Sequence, residues 1–98
     1  MKQALSFLGI LNKAGKLRFG MGIEKNLARC DACVLAFDAS PNTKKALLSA
    51  LNPNAILLEG VSKEELGKSL GYDELSAVAV MDKKASKALK EKWGKESR

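Results

Sequence analysis

Apolar residues recur along this chain in two alternating rhythms. From Lys2 to Ala14 they fall at Ala4, Leu5, Leu8 and Leu11, one face of a helix, with Phe7 and Ile10 widening the stripe. Gly15 stops that helix. Lys16-Leu17-Arg18-Phe19 then alternates polar and apolar, the period of a short half-buried strand. Gly20-Met21-Gly22 is a turn into a short helix from Ile23 to about Arg29, with Ile23 and Leu27 inward. Ala32 to Phe37 is a continuous apolar run, which reads as a buried strand. Ser40 suits an N-cap and Pro41 a first helical position, so the next helix runs from Ser40 to Leu51, with Ala46, Leu47, Ala50 and Leu51 as its stripe.

Asn52-Pro53-Asn54 breaks the chain. Ala55 to Leu58 follows as a strand whose unbroken apolarity predicts burial on both faces. Ser62-Lys63-Glu64-Glu65 is a capping box that starts a helix carrying Leu66 and Leu70 and ending at Gly71. Ala77 to Val80 is a fourth strand. Asp82 caps a last helix, with Ala85, Ala88, Leu89 and Trp93 inward and Lys83, Lys87 and Lys90 outward; Gly94 to Arg98 is expected to fray. Regular alternation of helix and strand predicts an α/β fold, a parallel or mixed sheet with helices on both faces. At 98 residues the chain, 1–98, is one domain.

Charge adds a partner to this picture. The net charge is +6, and it is unevenly spread. Residues 1–45 hold eight Lys and Arg against three Asp and Glu, residues 46–81 two against five, and residues 82–98 seven against three. The basic excess therefore sits at the two ends of the chain and favours a phosphate-bearing partner. Lys44 and Lys45 add to it near a helix start, where the dipole disfavours cations, so they are either solvated or near an anion. No run approaches the length of a membrane span, and Met1 to Leu5 lacks the layout of a signal peptide. We therefore expect a cytoplasmic protein with no membrane partner.

Candidate chemistry is sparse. The chain has no histidine, which removes the commonest general base and metal ligand. Cys30-Asp31-Ala32-Cys33 is a C-x-x-C, but it lies where a helix ends and a strand begins, the reverse of a redox site. Two cysteines without histidine cannot close a zinc site. The residues favour a structural reading, with Cys33 a small buried strand residue and Cys30 a loop filler. Gly20-Met21-Gly22 opens like a dinucleotide fingerprint, yet Lys25 stands where the third glycine belongs. As a flexible entry to a helix it offers free amides to phosphate or base edges, with Lys16, Arg18 and Lys25 around it; an ordinary tight turn is the plain alternative. Glu64-Glu65 and Asp73-Glu74 read as solvated carboxylates. No enzyme, metal or cofactor is expected.

Several segments in order resemble a known family. They are Leu8-Gly9-Ile10-Leu11, Lys13-Ala14-Gly15-Lys16, Gly20, Asp38 to Lys45, Ser62-Lys63-Glu64-Glu65-Leu66-Gly67 and Ala77 to Val80. Together they look like the ribosomal-protein family of kink-turn RNA binders, the L-seven-Ae family, in its bacterial YlxQ-like branch. The resemblance covers roughly residues 4–93. It implies a three-layer α/β/α sandwich with a mixed four-stranded sheet, and non-catalytic binding of structured RNA by a ribosome- or translation-associated protein. It carries an RNA surface onto Lys16, Arg18, Gly20, Met21, Gly22, Ile23 and Lys25, and a second segment onto Tyr72, Asp73, Glu74 and Leu75. Lys44 and Lys45 are peripheral electrostatic helpers.

Gly22-Ile23, or Met21-Gly22 in a register shifted by one, stands where archaeal members of that family have an Asn-Glu pair, and Asp73-Glu74 makes the second loop acidic. A protein–protein interaction module on the same fold is therefore the alternative. A monomer is expected.

Overall fold

The computed structural model describes residues 2–96, and the helix–strand alternation runs through all of it. The elements are α1 (Lys2–Lys13), β1 (Leu17–Phe19), α2 (Ile23–Leu27), β2 (Ala32–Leu35), α3 (Pro41–Ala50), β3 (Ile56–Leu58), α4 (Lys63–Ser69), β4 (Ala77–Val80) and α5 (Lys83–Glu96). The strands form one sheet in the order β1-β4-β2-β3. β2 and β3 are parallel, with Val34 opposite Leu58. β4 runs antiparallel to both of its neighbours, so that Val80 faces Leu17 on one side and Ala32 on the other. The last strand in sequence is thus an inner one, buried at every position.

Strand alternation sorts the core into two halves. Ala32, Val34, Val78 and Val80 point to one face, where Leu8 of α1, Leu66 of α4 and Leu89 and Trp93 of α5 cover them. Cys33, Leu35, Ala77 and Ala79 point to the other, under Ile23 and Leu27 of α2 and Leu47 of α3. The result is a three-layer α/β/α sandwich with a mixed four-stranded sheet. No described helix is long and apolar enough to cross a membrane.

Capping residues start the helices where the sequence places them. Ser62 Oγ accepts from Glu65 N at 3.0 Å, while Ser62 N donates to the Glu65 carboxylate at 2.9 Å. Ser40 Oγ accepts from Thr43 N, and Asp82 Oδ1 accepts from Ala85 N at 2.9 Å. Each such cap stabilises its helix by about 1 kcal/mol.

Some expectations change. The strand read as Ala32 to Phe37 ends at Leu35, because Leu35 pairs with Ala77, the first residue of β4. Ala36 N and Phe37 N turn to Ser76 O and Val61 O, and the Phe37 ring is exposed. β3 is an edge strand, so Leu57 is open to solvent on the α2–α3 side and the strand is not buried on both faces. Ile10 and Ala46 are exposed, outside the faces that α1 and α3 turn to the sheet. α2 stops at Leu27.

The end of α5 does not fray before Glu96. Trp93 Nε1 donates to Glu59 O at 2.7 Å, and the Glu96 carboxylate accepts from Gln3 N and Ala4 N at 2.9 and 3.0 Å, which caps α1. Ser97 and Arg98, the rest of that stretch, lie outside the described residues.

Candidate nucleic-acid interface

Two glycines fix the turn between β1 and α2. Gly20 and Gly22 have φ of 91° and 80°, a region that L side chains rarely occupy. Between them Met21 projects wholly into solvent. No side chain caps α2, and among the described residues no backbone carbonyl accepts from Met21 N or Gly22 N. The turn therefore presents free amides beside an apolar side chain.

The second segment is held by α4. Tyr72 N donates to Gly67 O at 2.9 Å, and Leu75 N donates to Lys63 O at 3.0 Å. Gly67 is buried against the loop so closely that a Cβ there would lie 2.6 Å from Glu74 N and overlap Glu74 Cα. The glycine is what lets the loop lie on the helix. Lys63 Nζ also reaches a Glu74 carboxylate oxygen at 3.9 Å. Across the gap, Tyr72 packs edge-on against Phe19 at the end of β1, with ring centroids 5.3 Å apart and an interplanar angle of 77°. That ring pair joins the loop to the strand that leads into the glycine turn.

A groove of about 510 Å³ opens between the two segments. One wall is Gly20, Met21 and Gly22 with Ile23 and Glu24 of α2. The other is Glu74, Leu75 and Ser76 with Ala77 of β4, and Thr43 and Leu47 of α3 close one side. Gly20, Met21, Gly22, Ile23 and Leu75 are thus brought together as the sequence reading requires, and Tyr72 stands beside them on Phe19. Thr43, Leu47, Ser76 and Glu24 were not named from the sequence as groove residues. Thr43 and Leu47 share one face of α3 by their i, i+4 spacing, but only the sheet order shows that this face looks onto the glycine turn.

The basic residues assigned to the site do not line it. Lys16 Nζ is paired with Asp82 Oδ2 at 2.8 Å. The antiparallel pairing of β1 and β4 explains this, since Met81 N donates to Lys16 O and so sets Lys16 against the residue that follows. Arg18 Nη1 donates to the carbonyls of Leu17 and Gly15, at 2.8 and 3.2 Å, and so folds back from the turn. Lys25, Lys44 and Lys45 are not among the lining residues either; Lys44 and Lys45 follow Thr43 directly in α3. The charged groups in the groove are Glu24 and Glu74. Its chemistry is apolar walls, free backbone N–H donors and carboxylate acceptors.

Neither thiol of the C-x-x-C belongs to the groove. Cys30 and Cys33 are free and buried under α2 and α3. Burial, before any charge effect, pushes the Cys33 thiol up to about 12 and raises that of Cys30. Cys30 Sγ donates to Leu27 O at 3.4 Å. Protonated, buried thiols are poor nucleophiles and poor metal ligands. Among the described residues no group of three or more His, Cys, Asp and Glu is placed to hold a metal ion.

Among the solved structures that share the fold of this chain is that of a protein with unknown function from Bacillus halodurans, 25% identical, with a TM-score of 0.75 over 90% of this chain and 93% of that one. No protein-family model and no curated protein matches this chain.

Proposed function

We infer that this chain is a small non-catalytic RNA-binding protein that takes structured, kink-turn-like RNA in the groove between Gly20–Ile23 and Glu74–Leu75, in a ribosomal or other translation setting. One observation carries the reading. The two segments that the family resemblance marks, far apart in sequence, face each other across one groove and are bridged by the Phe19–Tyr72 pair.

The lining favours base edges over phosphates. Glu24 and Glu74 repel phosphate but accept hydrogen bonds from base amino groups and from the 2′-hydroxyl. The free N–H groups of Met21 and Gly22 meet base acceptors, and Met21, Leu75 and the Tyr72 ring supply apolar surface for unstacked bases. Bases become available in this way where an RNA helix is bent or looped. Lys25, Lys44 and Lys45 are left for the flanking phosphates.

The deciding experiment compares binding of a kink-turn RNA with that of a mutated, unbent control of equal length. The kink-turn RNA should bind at least about tenfold tighter. Met21→Asp should abolish that preference, since Met21 is fully exposed and its loss does not touch the core. Equal affinity of the intact protein for both RNAs sinks this reading. The same acid-rimmed apolar groove also fits a basic segment of a partner protein, and purified protein that carries no nucleic acid, judged by its 260 nm absorbance, would favour that second reading.

A further inference from the structure

The outer face of α5 is strongly cationic, and the groove does not use it. Six of the 14 residues of α5 are lysines. Lys92 is set apart, its ammonium 5.2 Å from the centre of the Phe7 ring. The other five, Lys83, Lys84, Lys87, Lys90 and Lys95, are all exposed, and among the described residues none makes an ion pair.

The acidic residues of this region are turned inward. Asp82 caps α5 and holds Lys16, and the Glu96 carboxylate caps α1. Glu91 alone shares the lysine face. Fold stability does not account for this arrangement. Lys83 and Lys84 stand in the first turn, against the helix dipole, with only the capping Asp82 carboxylate, already paired with Lys16, beside them. Lys83 and Lys87, and Lys87 and Lys90, are like charges at helical neighbour spacing, which destabilises the helix. Gly94 weakens it further and leaves a shallow depression bordered by Lys87, Lys90, Glu91 and Lys95.

We propose that this face is a second nucleic-acid surface, which takes the phosphate backbone of RNA without regard to sequence. The chemistry selects that occupant. Lys83, Lys87 and Lys90 align over roughly 10 Å of the helix, with Lys84 and Lys95 flanking them on one side, a band suited to a polyanion. Ammonium groups are point charges without the planar fork that reads base edges or single carboxylates, so they suit phosphates in any register. No large hydrophobic residue is exposed on α5, which denies a protein partner the buried anchor that a stable interface needs. No aromatic ring is exposed there to stack a base.

The face lies in the α1–α4–α5 layer, whereas the groove is walled by α2 and α3 on the opposite side of the sheet. The inference does not depend on the groove reading. One protein would engage two RNA segments at once, or hold a long RNA loosely while the groove searches for a bend.

The test uses the full chain and a short oligouridylate, which has no bend for the groove to recognise. Lys83→Gln, Lys87→Gln and Lys90→Gln combined should weaken its binding about tenfold at low salt and flatten the slope of log affinity against log salt by about 2. The corresponding Lys→Arg triple variant should bind like the parent protein. The Gln triple variant should keep the kink-turn preference, because none of its three positions lines the groove, so failure of the groove reading and failure of this one are separable. Unchanged affinity and slope in the Gln variant, with a cooperative melting curve that shows the fold intact, overturn the proposal. So does a parent protein that binds polyglutamate as tightly as oligouridylate, because the face would then be a general anion surface.

Discussion

The groove and the α5 face differ in almost every physical respect. The groove is assembled from the β1–α2 turn, the loop after α4 and one side of α3, and its lining is apolar and acidic. The α5 face belongs to one helix and is almost wholly cationic. A site built from distant segments depends on tertiary packing and can recognise shape. A site built on one helix surface depends on composition and acts through charge. The net charge of +6 therefore says little about the groove, since its basic neighbours are paired, folded back or outside it.

Equal substitutions at two glycines put this difference to the strongest test. Gly67→Ala would drive a methyl group into the backbone of Glu74 and push the loop off α4. We expect a loss of about 2 kcal/mol in urea denaturation and a loss of kink-turn preference, with oligouridylate binding kept. Full stability in Gly67→Ala would mean that the loop is not held as described. Gly94→Ala, on the open face of α5, should do the reverse. Nothing lies within 4 Å of the added carbon, and the helix gains about 0.5–1 kcal/mol from the better helix former.

The smallest expected effect concerns the link between β1 and the start of α5. The hydrogen bond from Lys16, and after it that from Ala85 N, holds the Asp82 carboxyl below its ordinary value of 3.8. A folded value lower than the unfolded one means that this contribution to stability is present above the ordinary carboxylate range. It is lost as pH falls through the lowered value. Asp82→Asn keeps a capping side chain but removes the ion pair, so it should flatten the acid limb of a stability–pH curve at low salt. The kink-turn preference should stay as it was, because Lys16 does not line the groove.

Much of this was legible in the chain itself. The capping box at Ser62–Glu65, the Ser40-Pro41 start and the Asp82 cap are local signals, completed within one helical turn, and each helix begins where they stand. Periodicity likewise located the four strands and both ends of the glycine turn. The readings that changed were those that depended on neighbours. Leu57 looked fully buried from its apolar run, yet β3 is an edge strand. Phe37 looked like a continuation of β2, yet its partner strand begins too late to pair with it.

Lys16 shows the same limit at the site. Its spacing from Gly20 suggested a shared surface, but antiparallel pairing with β4 delivers it to Asp82. Sequence alone determined which residues form helices and strands, where the helices start and where positive charge accumulates, because those properties act over one or two turns of chain. Only the tertiary structure decided the strand order, the meeting of Gly20–Ile23 with Glu74–Leu75 and the burial of Gly67 under the loop. Those features arise from contacts between segments distant in the chain, and the local pattern of neither partner encodes them.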